Sequence, residues 1–139
     1  MDALHLAGQL VIKGILDLED ARMAAKVGAT AIVVSNHGGR QLDGTVSSIS
    51  MLPRIVEAVG SEVDVLFDGG VRSGQDVMRA IALGAKGCLV GRAYMYGLGA
   101  GGQAGVARAI EIIRNELDVT IGLTGVNRIA EIGRNTLVE

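Results

Sequence analysis

The chain has 139 residues, the length of one ordinary domain. Hydrophobic residues make up 49% of it and the mean hydropathy is +0.40, so it can bury a core and does not belong to the disordered class. The near balance of 13 basic and 15 acidic residues, the 2% of aromatic residues and the single cysteine argue against a nucleic-acid surface, a disulfide framework and a Cys-rich zinc site. We expect no nucleic-acid partner and no metal site.

The amino-terminal residues lack the pattern of a signal peptide, because Asp2 follows Met1 in place of basic residues and Lys13 comes before any apolar stretch of signal length. No segment approaches the roughly 20 apolar residues that cross a bilayer. We therefore expect a poorly ordered leader over residues 1–9 and a folded unit over residues 10–139. We also expect a cytoplasmic location, in which Cys88 stays reduced.

Short β-branched runs alternate with helical patterns along the chain. The patterns predict strands over 10–13, 31–35, 63–68 and 87–91, and helices over 18–27, 50–59, 75–83, 105–117 and 126–132. Nearly continuous apolar strands that alternate with helices are typical of a parallel sheet buried on both faces. The sequence therefore predicts an α/β protein.

A diverged internal repeat and the strand ends favour one α/β architecture over another. An acid, a Gly-Ala turn and a strand valine occur twice at one constant spacing, first as Asp20, Gly28, Ala29 and Val34, then as Asp76, Gly84, Ala85 and Val90. Both a barrel and a doubly wound sheet alternate strands with helices. The unusual residues, however, follow four consecutive strands, and only in a barrel do all those ends converge on one face.

We therefore predict a TIM (β/α)8 barrel, of which this chain supplies about four β/α units, a half-barrel. A complete barrel takes about 250 residues. Four parallel strands alone leave two open edges, so we expect the chain to belong to a longer protein or to assemble with a second half.

The segment after the second strand carries a histidine and an arginine around two glycines, His37-Gly38-Gly39-Arg40. A histidine at a strand end can act as a general acid or base near neutral pH. The planar guanidinium of Arg40 suits a carboxylate held by two hydrogen bonds. The glycines allow a sharp turn that faces both side chains toward one ligand. We predict a catalytic role for His37.

Two Gly/Arg elements predict a phosphate site. The third strand leads through Asp68-Gly69-Gly70 and Arg72 into a helix whose free N–H groups we expect to face an anion. Gly91 and Arg92 end the fourth strand. Because barrels often bind phosphate after strands seven and eight, these four strands would be numbers five to eight. Asp68 would repel phosphate and suits polyol hydroxyls instead. The alternative is a capped turn with solvated arginines.

Two other features carry less weight. Lys13 lies at the end of the first predicted strand. It is a candidate cation beside the ligand only because other candidate site residues follow the neighbouring strands. The run Gly97–Gly102 superficially resembles a dinucleotide-binding loop, but no acid on a following strand is available to hold a ribose, so we discount it.

Together these motifs resemble the carboxyl-terminal half of the FMN-dependent α-hydroxy-acid dehydrogenase/oxidase family, and within it the bacterial L-lactate dehydrogenases. The resemblance runs from Leu10 onward, in matching order and spacing. It implies FMN as the cofactor and oxidation of an L-2-hydroxy acid, with L-lactate foremost, to the 2-keto acid. It further implies that His37 takes the substrate's proton and that Arg40 anchors its carboxylate.

The resemblance also assigns the cofactor side of the site. Lys13 would stand near flavin N1 and O2, Ser35 would line the flavin, and Asp68 would hold the ribityl hydroxyls. The phosphate would be held by the glycines and arginines of the two later loops: Gly69, Gly70, Arg72, Gly91 and Arg92.

The family's amino-terminal half supplies a tyrosine pair, a second arginine, flavin contacts and an aspartate that orients the histidine, and none of these can be assigned to this chain. We therefore expect this chain to be inactive by itself and to need the amino-terminal half-barrel. The further expected partners are an electron acceptor (quinone, oxygen or cytochrome) and other copies of the protein in a homo-oligomer. The location would be cytoplasmic or peripheral on the inner membrane face. The alternatives are another FMN- or phosphate-binding barrel enzyme, or a non-catalytic half-barrel that self-associates.

Overall fold

The computed structural model describes residues 8–138; residues 1–7, which make up most of the expected leader over residues 1–9, and residue 139 lie outside the described part. Strands and helices alternate along it: β1 (Val11–Ile15), α1 (Leu18–Lys26), β2 (Ala31–Val34), α2 (Ser48–Val59), β3 (Asp64–Phe67), α3 (Gly74–Ala82), β4 (Gly87–Cys88) and α4 (Arg92–Leu123). Single 3₁₀ turns lie at His37–Gly39, Ile129–Glu131 and Arg134–Thr136.

The four strands form one parallel sheet in the order β1-β2-β3-β4. Parallel neighbours need a crossover connection, and each of the first three helices supplies one. Because every strand runs in the same direction, all four carboxyl ends lie at the same edge of the sheet. The predicted parallel α/β order is confirmed.

The core lies between the sheet and the helices that cross over it. All four residues of β2 are buried. Ile32 and Val34 of β2 belong to the same buried cluster as Leu52, Ile55 and Val59 of α2. Burying side chains of this size contributes about 1.5–3 kcal/mol each, so the β2–α2 contact anchors the fold.

The ends of α1 and α3 show why the Gly-Ala turn occurs twice. Gly28 and Gly84 follow the two helices with φ of 90° and 105°, a conformation that glycine adopts most easily. The next N–H in each case, from Ala29 or Ala85, donates back into the last turn of the preceding helix. Both helices therefore end in the same glycine-dependent motif before a strand.

α4 is one long helical segment broken by non-helical backbone at Gly101 and Gly102. Its two parts touch at Gly97 and Gly105, where a Cβ on either glycine would overlap the backbone of the other. The glycine-rich run therefore serves a close crossing of helices rather than a dinucleotide. None of the helices in residues 8–138 is long and apolar enough to span a membrane.

The carboxyl-terminal predictions were wrong in two places. The fourth strand, expected over 87–91, covers only Gly87 and Cys88, because its partner β3 ends at Phe67. The helix expected over 105–117 is confirmed as the second part of α4, although it extends further, to Leu123. The helix expected over 126–132 is a single 3₁₀ turn, because a segment this short between Gly125 (φ 75°) and the extended Gly133 cannot sustain an α-helix.

Candidate active site

One cleft of about 560 Å³ opens at the carboxyl edge of the sheet. Nine of the ten predicted site residues line it: Lys13, His37, Arg40, Asp68, Gly69, Gly70, Arg72, Gly91 and Arg92. The tenth, Ser35, is 1% exposed and lies directly behind this lining. The fold thus brings together residues from four different strand ends.

Lys13 is held at the floor of the cleft by two oxygens. Its Nζ donates to Ser35 Oγ at 2.8 Å and forms an ion pair with Asp68 Oδ2 at 2.7 Å. Ser35 and Asp68 directly follow β2 and β3, whereas Lys13 lies within β1, which continues to Ile15 instead of ending at Lys13 as predicted. The parallel register of the three neighbouring strands places these residues close together. The ammonium therefore has a fixed position instead of the freedom of a surface lysine.

The loop after β2 holds His37 in an unusual backbone conformation. His37 has φ of 57°, the one positive φ outside glycine among residues 8–138. Two hydrogen bonds between residues two positions apart stabilise the turn. The His37 N–H donates to Ser35 Oγ at 3.1 Å, and the Gly38 N–H donates to Asn36 Oδ1 at 3.0 Å. A strained residue at a strand end is a common mark of a functional site.

Gly14 is a site residue that sequence reasoning missed. It has φ of 102°, and a Cβ there would lie 2.6 Å from His37 Nε2, so the imidazole lies over the bare backbone of β1. The β1–β2 register shifts between Lys13 and Ile15, on either side of this glycine. A glycine directly after Lys13, the last residue of the first predicted strand, was the available signal.

One of the two carboxylate oxygens of Asp68 has no hydrogen-bond partner among the described residues. Oδ2 is paired with Lys13, whereas Oδ1 is buried without a hydrogen-bond partner in the described residues. A buried acceptor with no partner is costly, so a hydroxyl donor from a ligand would be favourable there. This fits the expected contact with polyol hydroxyls.

The expectation that α3 offers free N–H groups to a phosphate is wrong. The Gly74 N–H donates to Glu116 Oε2 of α4 at 3.0 Å, and the N–H groups of Arg72 and Ser73 donate to Asp76 Oδ2. Ser73 Oγ accepts in turn from the Asp76 N–H, which completes a capping box. This helix end is already occupied by carboxylates of the protein itself.

The capping box also shifts the ionisation of Asp76. Burial raises the pKa of this carboxyl, but the hydrogen bonds from Arg72 and Ser73 and the charge of Arg79 outweigh it and hold the pKa below its usual value. Asp76 is therefore a stable anion at the start of α3.

The start of α4 is the free helix end at the cleft. Its N-cap is Gly91, which has no side chain to occupy the first N–H groups, and Arg92 follows at the first helical position. Arg92 Nη2 lies against Gly38, where a Cβ would be 3.3 Å away. The first turn of a helix with a guanidinium beside it is a strong anion site.

The charges that line the cleft favour an anionic ligand. Lys13, Arg40, Arg72 and Arg92 face it, and Asp68 is the one carboxylate among the lining residues. Among residues 8–138, no three His, Cys, Asp or Glu side chains are grouped to hold a metal ion. The cleft thus offers separate cations to a phosphate and to a carboxylate.

The known proteins that this chain resembles define its class. The family model described as FMN-dependent dehydrogenase matches residues 3–139, so the chain belongs to this family, whose cofactor is FMN. The cleft fits that cofactor, because it combines a phosphate-type helix end with an unpartnered Asp68 oxygen suited to a ribityl hydroxyl.

The individual relatives show which members of this family the chain is similar to. The chain is 57% identical over 132 residues to an L-lactate dehydrogenase of Caulobacter vibrioides (strain NA1000 / CB15N) and 55% identical over 131 residues to one of Stenotrophomonas maltophilia (strain R551-3). These alignments cover 95% and 94% of this chain and 34% and 35% of the relatives. The chain therefore spans about a third of the length of the curated relatives it matches.

Solved structures of similar proteins support the same family assignment. Mandelate oxidase with (S)-4-hydroxymandelic acid superposes with a TM-score of 0.89 at 51% identity, over 94% of this chain and 37% of that one. A mandelate oxidase variant with the monooxide FMN adduct gives 0.89 at 51% identity, over 94% and 41%. The four β/α units are accordingly half of a TIM barrel, as predicted.

Proposed function

We propose that this chain supplies the catalytic histidine and the FMN phosphate site of an FMN-dependent L-2-hydroxy-acid dehydrogenase that oxidises L-lactate to the 2-keto acid. The observation that carries the proposal is the convergence of His37, Arg40 and the Lys13–Asp68 pair on one cationic cleft. The similarity to L-lactate dehydrogenases supports the choice of substrate.

The substrate would lie between His37 and Arg40. The guanidinium of Arg40 binds the carboxylate with two hydrogen bonds and orients the molecule. The imidazole of His37 takes the proton of the substrate hydroxyl as the C–O bond becomes a carbonyl. When bound, FMN supplies the acceptor for the α-hydrogen and its electron pair.

The cofactor side of the cleft uses the remaining cations. With FMN bound, the ammonium of Lys13 would lie beside the flavin and would stabilise negative charge there, with Ser35 next to it. Asp68 Oδ1 would accept a hydrogen bond from a ribityl hydroxyl, which would give this buried oxygen a partner. Arg72, Arg92 and the backbone from Gly91 into α4 bind the phosphate, and Gly69 and Gly70 allow its close approach.

We propose that these residues act within a complete barrel. An amino-terminal half would close both open edges of the sheet and supply the group that orients His37. The further partners in this proposal are an electron acceptor (quinone, oxygen or cytochrome) and other copies of the protein. The proposed location is the cytoplasm or the inner membrane face, which fractionation of cells would test.

The test is a chimera in which this chain replaces the matching 132 residues of the Caulobacter vibrioides L-lactate dehydrogenase. We expect the purified chimera to carry FMN and to reduce an artificial dye when given L-lactate but not D-lactate. The unaltered Caulobacter enzyme is the control for expression and assay. The proposal would be wrong if the chimera folded and bound FMN but L-lactate did not reduce its flavin.

A further inference from the structure

Ser48 is a buried polar residue to which the site described above assigns no role. It is the first residue of α2 and only 2% exposed. Its Oγ donates a hydrogen bond of 2.7 Å to the backbone carbonyl of Asp68, 20 residues further along the chain. Its neighbour Ser47 occupies the N-cap position of the helix. The Ser48 hydroxyl therefore serves a contact between two loops.

Gly69, which has no side chain, faces Ser48 across this contact. Gly69 has φ of 109°, and a Cβ at this position would overlap Ser48 Oγ. Glycine is thus required there both by the left-handed backbone and by the hydroxyl. The close approach leaves the Asp68–Gly69 peptide little freedom to rotate.

Fixing this peptide fixes groups that face the cleft. A peptide unit is planar and trans, so its N–H points opposite to its carbonyl. Because the Asp68 carbonyl points to Ser48, the Gly69 N–H points away from Ser48. Asp68 also carries the carboxylate that pairs with Lys13 and has the unpartnered Oδ1. The hydrogen bond from Ser48 therefore holds the backbone of the same residue whose carboxylate the cofactor would contact.

Building on the function proposed above, we propose that Ser48 is a positioning residue for the cofactor. Its hydroxyl holds the Asp68–Gly69 peptide in the orientation that presents the carboxylate and the glycine backbone to the ribityl-phosphate part of FMN. Ser48 follows the loop of His37 and Arg40, so the same bond ties the substrate loop to the cofactor loop.

The test measures the FMN affinity of the chimera, prepared free of flavin and titrated while flavin fluorescence is followed. Ser48→Ala removes the hydroxyl and is expected to raise the Kd about tenfold, the scale of one lost hydrogen bond. Ser48→Thr keeps a hydroxyl and is expected to stay within about threefold of the parent. The matched control is Ser50→Ala, an exposed serine of α2 whose hydroxyl bonds locally to Ser47. Its Kd should not change.

An unchanged Kd for Ser48→Ala overturns the proposal, and so does a Ser48→Thr variant as weak as Ser48→Ala. A purely structural serine would lower the melting temperature of the flavin-free protein and leave the Kd at low temperature unchanged. If Ser48→Ala does not fold, Ser48→Cys, similar in size but a weak donor, takes its place and must weaken FMN binding. A chimera that binds no FMN with Ser48 intact refutes the proposed function instead, so the two failures are distinguishable.

Discussion

His37 owes its place in the cleft to backbone features around it. Its left-handed φ is stabilised by hydrogen bonds from its own N–H to Ser35 and from Gly38 to Asn36. Its ring lies over Gly14, where a side chain would displace it. Such strain costs about 1–3 kcal/mol and persists only where the surrounding structure imposes it. The same frame holds Lys13, through Ser35 and Asp68.

Replacing the base should separate chemistry from cofactor binding. In the chimera, His37→Ala is expected to retain FMN and to slow flavin reduction by L-lactate by about 10²–10⁴-fold, the usual contribution of a general base. Anaerobic stopped-flow absorbance measures the rate, and flavin content per protein measures binding. The control is Asp43→Asn, an exposed change in the same loop. Loss of FMN in His37→Ala would instead assign the histidine a structural role.

Arg40 distinguishes a hydroxy-acid enzyme from another FMN barrel. Arg40→Lys keeps the positive charge but loses the planar fork, so we expect the KM for L-lactate to rise about tenfold or more, with FMN content unchanged. Arg54→Lys, an exposed arginine of α2, is the matched control. An unchanged KM would favour a substrate without a carboxylate clamp.

At the scale of elements, α3 and α4 are joined by a carboxylate at a helix end. Glu116 accepts from the Gly74 N–H, and a Cβ on Gly74 would overlap the backbone of Leu117. The two helices therefore pack as closely as their backbones allow. This contact leaves the start of α4, at Gly91 and Arg92, as the helix end that faces the cleft.

The capping box of α3 should make stability depend on pH in one direction. Because the pKa of Asp76 is lower in the folded protein, its ionised form stabilises the fold above the unfolded pKa. That contribution is lost as the pH falls through the folded pKa. Asp76→Asn should therefore destabilise the flavin-free chimera by about 0.5–2 kcal/mol near neutral pH and by less in acid.

Thermal melts at neutral and acidic pH would measure this difference. The control is Asp118→Asn, an exposed carboxylate of α4. A destabilisation by Asp76→Asn that is equal at both pH values would contradict the assignment of the lowered pKa to this capping box.

At the scale of the whole molecule, the sheet is open at β1 and at β4. Val11 of the edge strand β1 is 49% exposed. A parallel sheet with unpaired edges tends to associate with other chains. The same edges are where an amino-terminal half-barrel would join.

The chain by itself should therefore show no lactate-dependent dye reduction and should self-associate in sedimentation. Co-expression with the part of the Caulobacter enzyme that precedes the matching segment is expected to restore FMN binding and turnover, and His37→Ala in the same mixture should abolish the turnover. Robust turnover by the chain alone would contradict the need for a complete barrel. A stable symmetric dimer without flavin, which the amino-terminal part does not activate, would favour the self-associating half-barrel.

The sequence alone determined the parallel order of strands and most of the cleft. Apolar strands alternating with helices require one direction of the sheet, and residues near the carboxyl ends of such strands, including Lys13, His37 and Asp68, must then share one edge. Local signals for helix ends, such as the glycines at 28 and 84, were equally readable, because their partners lie within a few residues.

Only the tertiary structure decided which groups complete that edge. Glu116 reaches the start of α3 from 42 residues away, and Ser48 reaches the Asp68 carbonyl from 20 residues away. Gly14 matters because an imidazole from the next strand's loop passes over it. Contacts of this kind depend on how separate elements approach each other in space, and no periodicity or spacing along one segment records that approach.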